Sequence, residues 1–471
     1  MRENKEITLF EFDCLVSDDG AKQAAYTSSE YSHIQAISKD AYDYLKSLCL
    51  SDESESKLLQ LRRRRNMEVL QVQNYAGVIF TPDRTQIEVL PKIGKGFKGE
   101  ETDNDESAYD KARKSLLIML RALKGFSHIQ TSSANIAKQK MPLLEVFISQ
   151  FLKSVNALVK RGLKSDYVRR EDNLAFLKGK LNVGKQVKRN YINKHKLYCE
   201  YDEFLLDRPA NRLLHSALLK VKTISRSAAN QKLLQELEFV FNEVPQSSDY
   251  KSDFTNVKLD RGMSYYQVPL VWCRLILDGF SPQSMKGESH AVSLLFPMEK
   301  VFEDYVAKVL KEQLAVSHPK LSVNTQVTGE YLARYDGRNK FSLRPDLIIK
   351  EGNTNQVVLD TKWKLLNTKL SNSNISQSDI YQLFAYAKKY LADDESGQDV
   401  VLIYPSQDNF DEALQYPFKL GDGDKLWVVP FDISENKHKG IRWPSAFNLT
   451  SSIDVFQQQS NQCECREYTE I

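Results

Sequence analysis

Several things are scarce in this sequence, and each scarcity excludes a class of protein. No apolar run approaches the ~20 residues that span a bilayer, and the opening MRENKEITLFEF is charged where a signal peptide would be apolar. Cysteine is rare: six residues, at 14, 49, 199, 273, 463 and 465. They lack paired zinc spacing and are too sparse for a disulfide scaffold, so small core residues plus an exposed pair near the end are expected. A reduced, cytoplasmic protein without membrane attachment follows. Charge of one sign is not in excess either, because 65 bases and 62 acids leave only +3. Any nucleic-acid surface must therefore come from local clustering. The seven histidines show no ligand spacing, and no internal repeat is visible.

What is present points to several domains, since 471 residues exceed one ordinary core. The expected class is α+β multidomain: a β-rich region at 1–108, a helical middle at 109–290, an α/β core at 291–445 and a polar, disordered tail at 446–471. ITLFEFDCLV (7–16) reads as a strand, and AYDYLKSLCL (41–50) and KLLQLRRRRN (57–66) read as helices. Residues 68–93 alternate apolar and polar around a PD turn, as a hairpin or meander does. The Gly-rich then acidic 94–107 reads as a loop, and SPQSMKGESH (281–290) as the boundary before the last domain. Amphipathic helical stripes cover 112–126, 143–163, 210–224 and 230–244.

The last domain carries the chemistry. SLRPDLIIKEGNTNQVVLDTKWK (342–364) reads as two apolar strands that contain Asp346, Asp360 and Lys362. Pro345 favours an extended or edge position for Asp346. Strand alternation puts Asp360 and Lys362 on one face and Thr361 and Trp363 on the other. Carboxylates of this kind suit a hard Mg2+ ion, with Mn2+ able to replace it, and an ammonium beside them suits the orienting of a water. Asp346 and Asp360, helped by the Thr361 carbonyl and by Glu303 on the helix at 298–314, form the expected metal set, and Lys362 orients the nucleophile. Glu299 lies one helical turn before Glu303 on the same edge. The spacing matches PD-x(13)-D-x-K, and downstream DIYQLFAYAKKY (379–390) adds Gln382 and Tyr386 at Q-x-x-x-Y.

This set resembles the PD-(D/E)xK nucleases, and Gln382 with Tyr386 resembles the accessory motif of their RecB-like branch. GVIFTPDRTQIEVLPKIG (77–94), FLKGKLNVGKQ (176–186) and CEYDEFLLDRPANRLLHSAL (199–218) are similar to successive landmarks of the McrC family over about residues 68–432. That resemblance implies a restriction-endonuclease-like core that cuts modified double-stranded DNA. It also implies a partner, a GTP-hydrolysing AAA+ hexameric ring of the McrB type, docked by the N-terminal region and stimulated by it. A stand-alone restriction or repair nuclease, and a non-catalytic adaptor, are the alternatives.

Two phosphate-binding lookalikes are set aside. GKGFKG (94–99) leads into an acidic loop, and GKLNVGKQ (179–186) ends in Gln186 where a P-loop needs Ser or Thr. The chain itself is expected to bind no nucleotide. The stretch 178–199 holds Lys178, Lys180, Lys185, Lys188, Arg189, Lys194 and Lys196 with no acid among them. It reads equally as a phosphate-tracking patch or as a solvated face offset by the acidic residues that follow. Arg62–Arg65 read either as touching DNA or an acidic partner surface or as capping a solvent-facing helix, and the second reading is favoured.

Overall fold

The computed structural model describes residues 6–19, 33–51, 57–64, 67–83, 85–93, 108–123, 142–278, 293–391, 398–433 and 440–447. The loop expected at 94–107, the boundary expected at 281–290, Cys463 and Cys465 lie outside them. So does the expected tail except for its first two residues. Phe447, one of those two, is buried and stacks on Trp443 at 4.6 Å. Chain contacts define two units, one of residues Met1–Ala137 with Leu295–Ile471 and one of Lys138–Leu294. The expected division at 108/109 and 290/291 thus groups differently, with the N-terminal region and the C-terminal core in one body.

In the first unit, strands Glu6–Phe10, Gln86–Leu90, Tyr75–Phe80 and Ser293–Pro297 form one sheet in that order. A second sheet orders Ile34–Ile37, Cys14–Ser17, Met67–Val72 and Leu59–Arg64. The single strand expected at 7–16 is broken at Phe12, whose φ of 65° turns the chain from one sheet into the other. Helix Lys39–Ser51 covers their shared apolar core through Ala41, Tyr42 and Leu45, as the sequence suggests. The helix expected over 57–66 is instead the edge strand Leu59–Arg64, paired antiparallel with Met67–Val72. The L-Q-L-R alternation outweighs helical propensity there, and exposed arginines blunt a sheet edge against further pairing. All four described cysteines are buried and unbridged.

The C-terminal part of this unit is a six-stranded mixed sheet. Its order is Leu321–Thr325, Leu347–Glu351, Thr354–Thr361, Asp399–Pro405, Lys425–Phe431 and Phe418–Lys419. Val357 to Thr361 are buried at every position, which explains why this segment reads as a continuous apolar run and not as an alternating one. Helix Gln377–Tyr390 covers one face, placing Leu383, Tyr386 and Ala387 against Ile348, Val358, Val400 and Leu402. Helix Met298–Ser317 covers the other, with Phe302 5.3 Å from Trp363 and Tyr305 5.6 Å from Phe431. The stretch expected to be one strand around Asp346 is two. A hairpin of Tyr331–Tyr335 with Arg338–Ser342 ends first, and Leu347–Glu351 then starts as an interior strand. Asp346 is therefore not on an edge; Pro345 stands just ahead of the strand, where its missing N–H interrupts no ladder.

The second unit pairs Asp166–Leu174 and Lys180–Leu181 with Leu197–Leu205, beside helices Leu143–Arg161, Pro209–Ile224, Ala228–Val240, Tyr250–Asn256 and Gln267–Asp278. Buried Glu145 receives Ser225 Oγ at 2.9 Å and Asn230 Nδ2 at 2.7 Å, tying two of these helices together.

Leu295 is buried in the core of the N-terminal sheets, so the segment entering the last domain is structural and not a linker. Leu295→Ala should lower unfolding free energy by about 2–5 kcal/mol, read from denaturant unfolding. A loss below about 0.5 kcal/mol, as for a surface substitution, would mean that the strand contributes nothing.

Candidate active site

The site begins with strand register. Leu347 pairs with Leu359 and Ile348 with Val358, so the next step outward sets Asp346 opposite Asp360. Like charges directly across an antiparallel pair repel. Here the apolar pairs further in fix the register, and the carboxylates accept their position.

Each carboxylate is then held by its own partners. Asp346 Oδ2 accepts the Thr361 backbone N–H at 2.8 Å and its hydroxyl at 2.7 Å. Thr361 thus engages Asp346 through donors, where its carbonyl was the expected contributor. Gln326, in the left-handed region at φ 52°, donates to Glu303 Oε1 and lies 3.5 Å from Asp346 Oδ1, bridging the two acids. Lys300 Nζ reaches the same Glu303 oxygen at 2.9 Å. Asp360 is almost wholly buried, and Lys362 forms an ion pair with its Oδ2, which otherwise receives no hydrogen bond.

Lys362 does not hang free. Its Nζ donates to Gln382 Oε1 at 3.0 Å, Gln382 Nε2 donates to Tyr386 Oη at 2.7 Å, and Tyr386 Oη donates to the Arg344 carbonyl at 3.0 Å. The line runs from Asp360 back to the turn that precedes Asp346. It explains the four-residue spacing of Gln382 and Tyr386, which puts them on one helix face. Just beyond the strand's end at Thr361, Trp363 is buried and donates to both Glu11 oxygens, at 3.2 and 2.9 Å. The Lys92 backbone N–H also donates to Glu11, at 2.8 Å. Glu299 turns elsewhere, accepting Asn74 Nδ2 at 3.0 Å.

Electrostatics follow from this crowding. Burial first, and Asp346 second, push Asp360 up to about 7. Burial and then Asp346 also raise Glu303 above the usual carboxylate range. Burial works against the Lys362 ammonium, but Asp360, then Asp346 and Asp379, outweigh it and raise its pKa. Asp346 is thus the charge common to the site.

Does a divalent cation suit this set? Among the described residues, no three His, Cys, Asp or Glu side chains stand together so as to hold a metal ion as they are. The expected three-carboxylate set is not preassembled, since Gln326 separates Glu303 from Asp346. Mg2+, however, commonly takes only one or two carboxylates and keeps its waters. Two neighbouring carboxylates, one of them buried and answered at Oδ2 only by the Lys362 ion pair, hold more negative charge than their donors offset, and such a cation would compensate it. The residues fit.

Sequence reasoning overlooked Gln326, Asp379 and Glu11. Asp379 precedes Gln382 by one helical turn, a spacing that could have revealed it; Gln326 and Glu11 carry no local signal. The basic run belongs to the second unit. Lys178 pairs with Glu203 at 3.2 Å and lies over the Tyr201 ring, while Lys185 pairs with Glu171. Lys180, Lys188, Arg189, Lys194 and Lys196 are exposed and form no ion pair among the described residues, though Lys180 acts on the charge of Glu200. Gly184 and Lys185 belong to the short helix Val183–Arg189, N-capped by Asn182. No phosphate-wrapping loop exists there.

A family model described as "McrBC 5-methylcytosine restriction system component" matches residues 70–405, more than half of the chain. The Escherichia coli (strain K12) "Type IV methyl-directed restriction enzyme EcoKMcrBC" is 21% identical over 334 residues, covering 67% of this chain and 88% of the relative. Among solved structures, the chain resembles one in the refined half-complex from a tetradecameric assembly of Thermococcus gammatolerans McrB AAA+ hexamers with bound McrC. The TM-score is 0.62 at 20% identity, covering 98% of this chain and 100% of that one.

The raised Asp360 pKa has a consequence for stability. Its folded value of about 7 exceeds the ordinary 3.8, so folding binds a proton between those values. The stabilisation is complete below the lower value and is lost as pH rises through the upper one. In divalent-free buffer, stability should therefore fall between about pH 4 and pH 7, and Asp360→Asn should flatten that fall. Thermal melts across the range check it; an equally steep fall in the variant would assign the proton elsewhere.

Proposed function

The chain belongs to the McrBC family of 5-methylcytosine restriction system components, and we propose that it is the DNA-cutting subunit of such a system, with a PD-(D/E)xK nuclease core. The observation that carries this reading is the facing pair Asp346 and Asp360, with Lys362 pinned between Asp360 and Gln382. Phosphodiester hydrolysis needs charge compensation at the scissile phosphate and a water aimed in line with the leaving oxygen. When bound, Mg2+ would supply Lewis-acid stabilisation of that charge, held by Asp346 and Asp360 and completed by Glu303.

The chain's own residues do the rest. Lys362 stays an ammonium, because its carboxylate neighbours raise its pKa. Its role is orienting the attacking water and stabilising developing negative charge, not removing a proton. Gln382 fixes the ammonium in place, and Tyr386 fixes Gln382. Thr361 clamps one Asp346 oxygen and leaves the other toward Gln326 and Glu303.

The substrate in this reading is modified double-stranded DNA, and the partner is a GTP-hydrolysing AAA+ hexameric ring of the McrB type. The N-terminal region docks on that ring and stimulates its GTPase. Nucleotide hydrolysis belongs to the partner, since Lys185 is spent on Glu171 and its segment is helical. The exposed cations of 180–196 add a surface for the DNA backbone.

Lys362→Ala should reduce cleavage of modified DNA, with the ring partner and GTP present, by about 100-fold or more, the lower end for losing one group that stabilises developing charge. DNA binding and the GTPase should remain. Near wild-type cleavage would remove Lys362 from the mechanism, and cleavage by the chain alone would favour a stand-alone nuclease. Glu303→Gln should cost at least ~10-fold in the same assay and Glu299→Gln less than ~3-fold, because only Glu303 communicates with Asp346. The reverse order would place the wrong glutamate in the site.

A further inference from the structure

The hairpin at 331–342 is not needed to close any core. Its strands Tyr331–Tyr335 and Arg338–Ser342 pair only with each other. Every residue from Leu332 to Ser342 is exposed, including Tyr335 at 76% and Phe341 at 73%. Isolated two-stranded ribbons are marginal in water, so a solvent-projecting one with exposed aromatics suggests an external partner. The tip is well defined: Asp336 and Gly337 have φ of 48° and 71°, both positive as a type I′ turn requires.

Charge identifies the partner class. Arg338 and Lys340 lie opposite Tyr335 and Ala333 on one face of the ribbon, and Arg334 lies opposite Asn339 on the other. Arg338 and Lys340 have no carboxylate partner among the described residues, and Arg334 is bound only by Asn339 Oδ1 at 2.9 Å. The major groove of duplex DNA admits a two-stranded ribbon of this kind.

Position makes the case specific. Four residue steps separate Ser342 from Asp346, so their Cα atoms are at most about 14 Å apart. The base of the ribbon is clasped by the same helix that orients Lys362. Tyr390 Oη donates to the Leu343 carbonyl at 2.8 Å, and Tyr386 Oη to the Arg344 carbonyl at 3.0 Å. We propose that the 331–342 ribbon is a DNA-engaging element whose Arg334, Arg338 and Lys340 hold the duplex backbone and set the scissile phosphate over Asp346 and Asp360. This rests on the nuclease reading above and extends it to how DNA is held.

The test uses the full chain carrying Lys362→Ala, which does not consume its DNA. To it is added Arg334→Ala/Arg338→Ala/Lys340→Ala, and affinity for a 30-base-pair modified duplex is measured by anisotropy over a salt series. Each lost phosphate contact should cost about fivefold at 0.15 M salt and reduce the salt slope by about 0.9. The triple change should therefore weaken binding about 100-fold and flatten the slope by about two to three. Arg334→Lys/Arg338→Lys should retain affinity within about threefold, which a purely structural role for the arginines would not predict. Unchanged affinity and slope in a triple variant that melts like its parent would overturn the proposal. So would a parent that fails to bind duplex at low salt, or a triple variant that loses only the ring partner. The nuclease reading fails separately, if Lys362→Ala cuts like wild type while the ribbon variants still bind weakly.

Discussion

Two carboxylates held face to face at the end of a strand pair are the constraint around which the C-terminal core is arranged. The repulsion between Asp346 and Asp360 is imposed from within the sheet, where Leu347, Ile348, Val358 and Leu359 lock the register. A one-residue slip would relieve the repulsion but turn every apolar side chain to the wrong face. The strain is therefore retained and managed locally. Thr361 neutralises part of one charge, Lys362 part of the other, and Gln382 and Tyr386 keep Lys362 from wandering.

The division between what could and could not be read in the sequence follows the range of the interactions. The D-T-K alternation and the Q-x-x-x-Y spacing are short-range geometry, and the structure connects those side chains by direct hydrogen bonds and ion pairs. Gln326 works only because a left-handed turn after Leu321–Thr325 aims it between two acids, and no pattern around it announces that turn. Reading one strand from Ser342 across Pro345 joins the end of the 331–342 hairpin to Leu347–Glu351, because apolar residues stand on both sides of the proline. For 57–66, leucines adjacent to arginines suited a helix or a strand, and pairing with Met67–Val72 decided it. The joining of the two chain ends in one unit depends on contacts hundreds of residues apart, which periodicity cannot register.

The basic run in the second unit shows why a cluster of lysines is ambiguous on the page. Strands 166–174 and 197–205 bring Glu171 and Glu203 beside Lys185 and Lys178, so part of the apparent charge is internally answered. Exposed pairs of this sort contribute little to stability. The ribbon near Asp346 has fewer cations, and none of Arg334, Arg338 and Lys340 is in an ion pair among the described residues.

The hydrogen bond between Trp363 and Glu11 spans 352 positions of sequence. At a ribosomal rate of about 5–20 residues per second, Glu11 emerges roughly 20–70 s before its partner does. For that interval a carboxylate destined for burial stays hydrated, and the edge of the N-terminal sheet still awaits Ser293–Pro297. Folding of this body consequently waits on segments made late in the chain and involves costly loop closures. The nascent chain is exposed to misassembly and to chaperones through that interval, and the paired acids of the cutting site themselves emerge only after more than two thirds of the chain has been made.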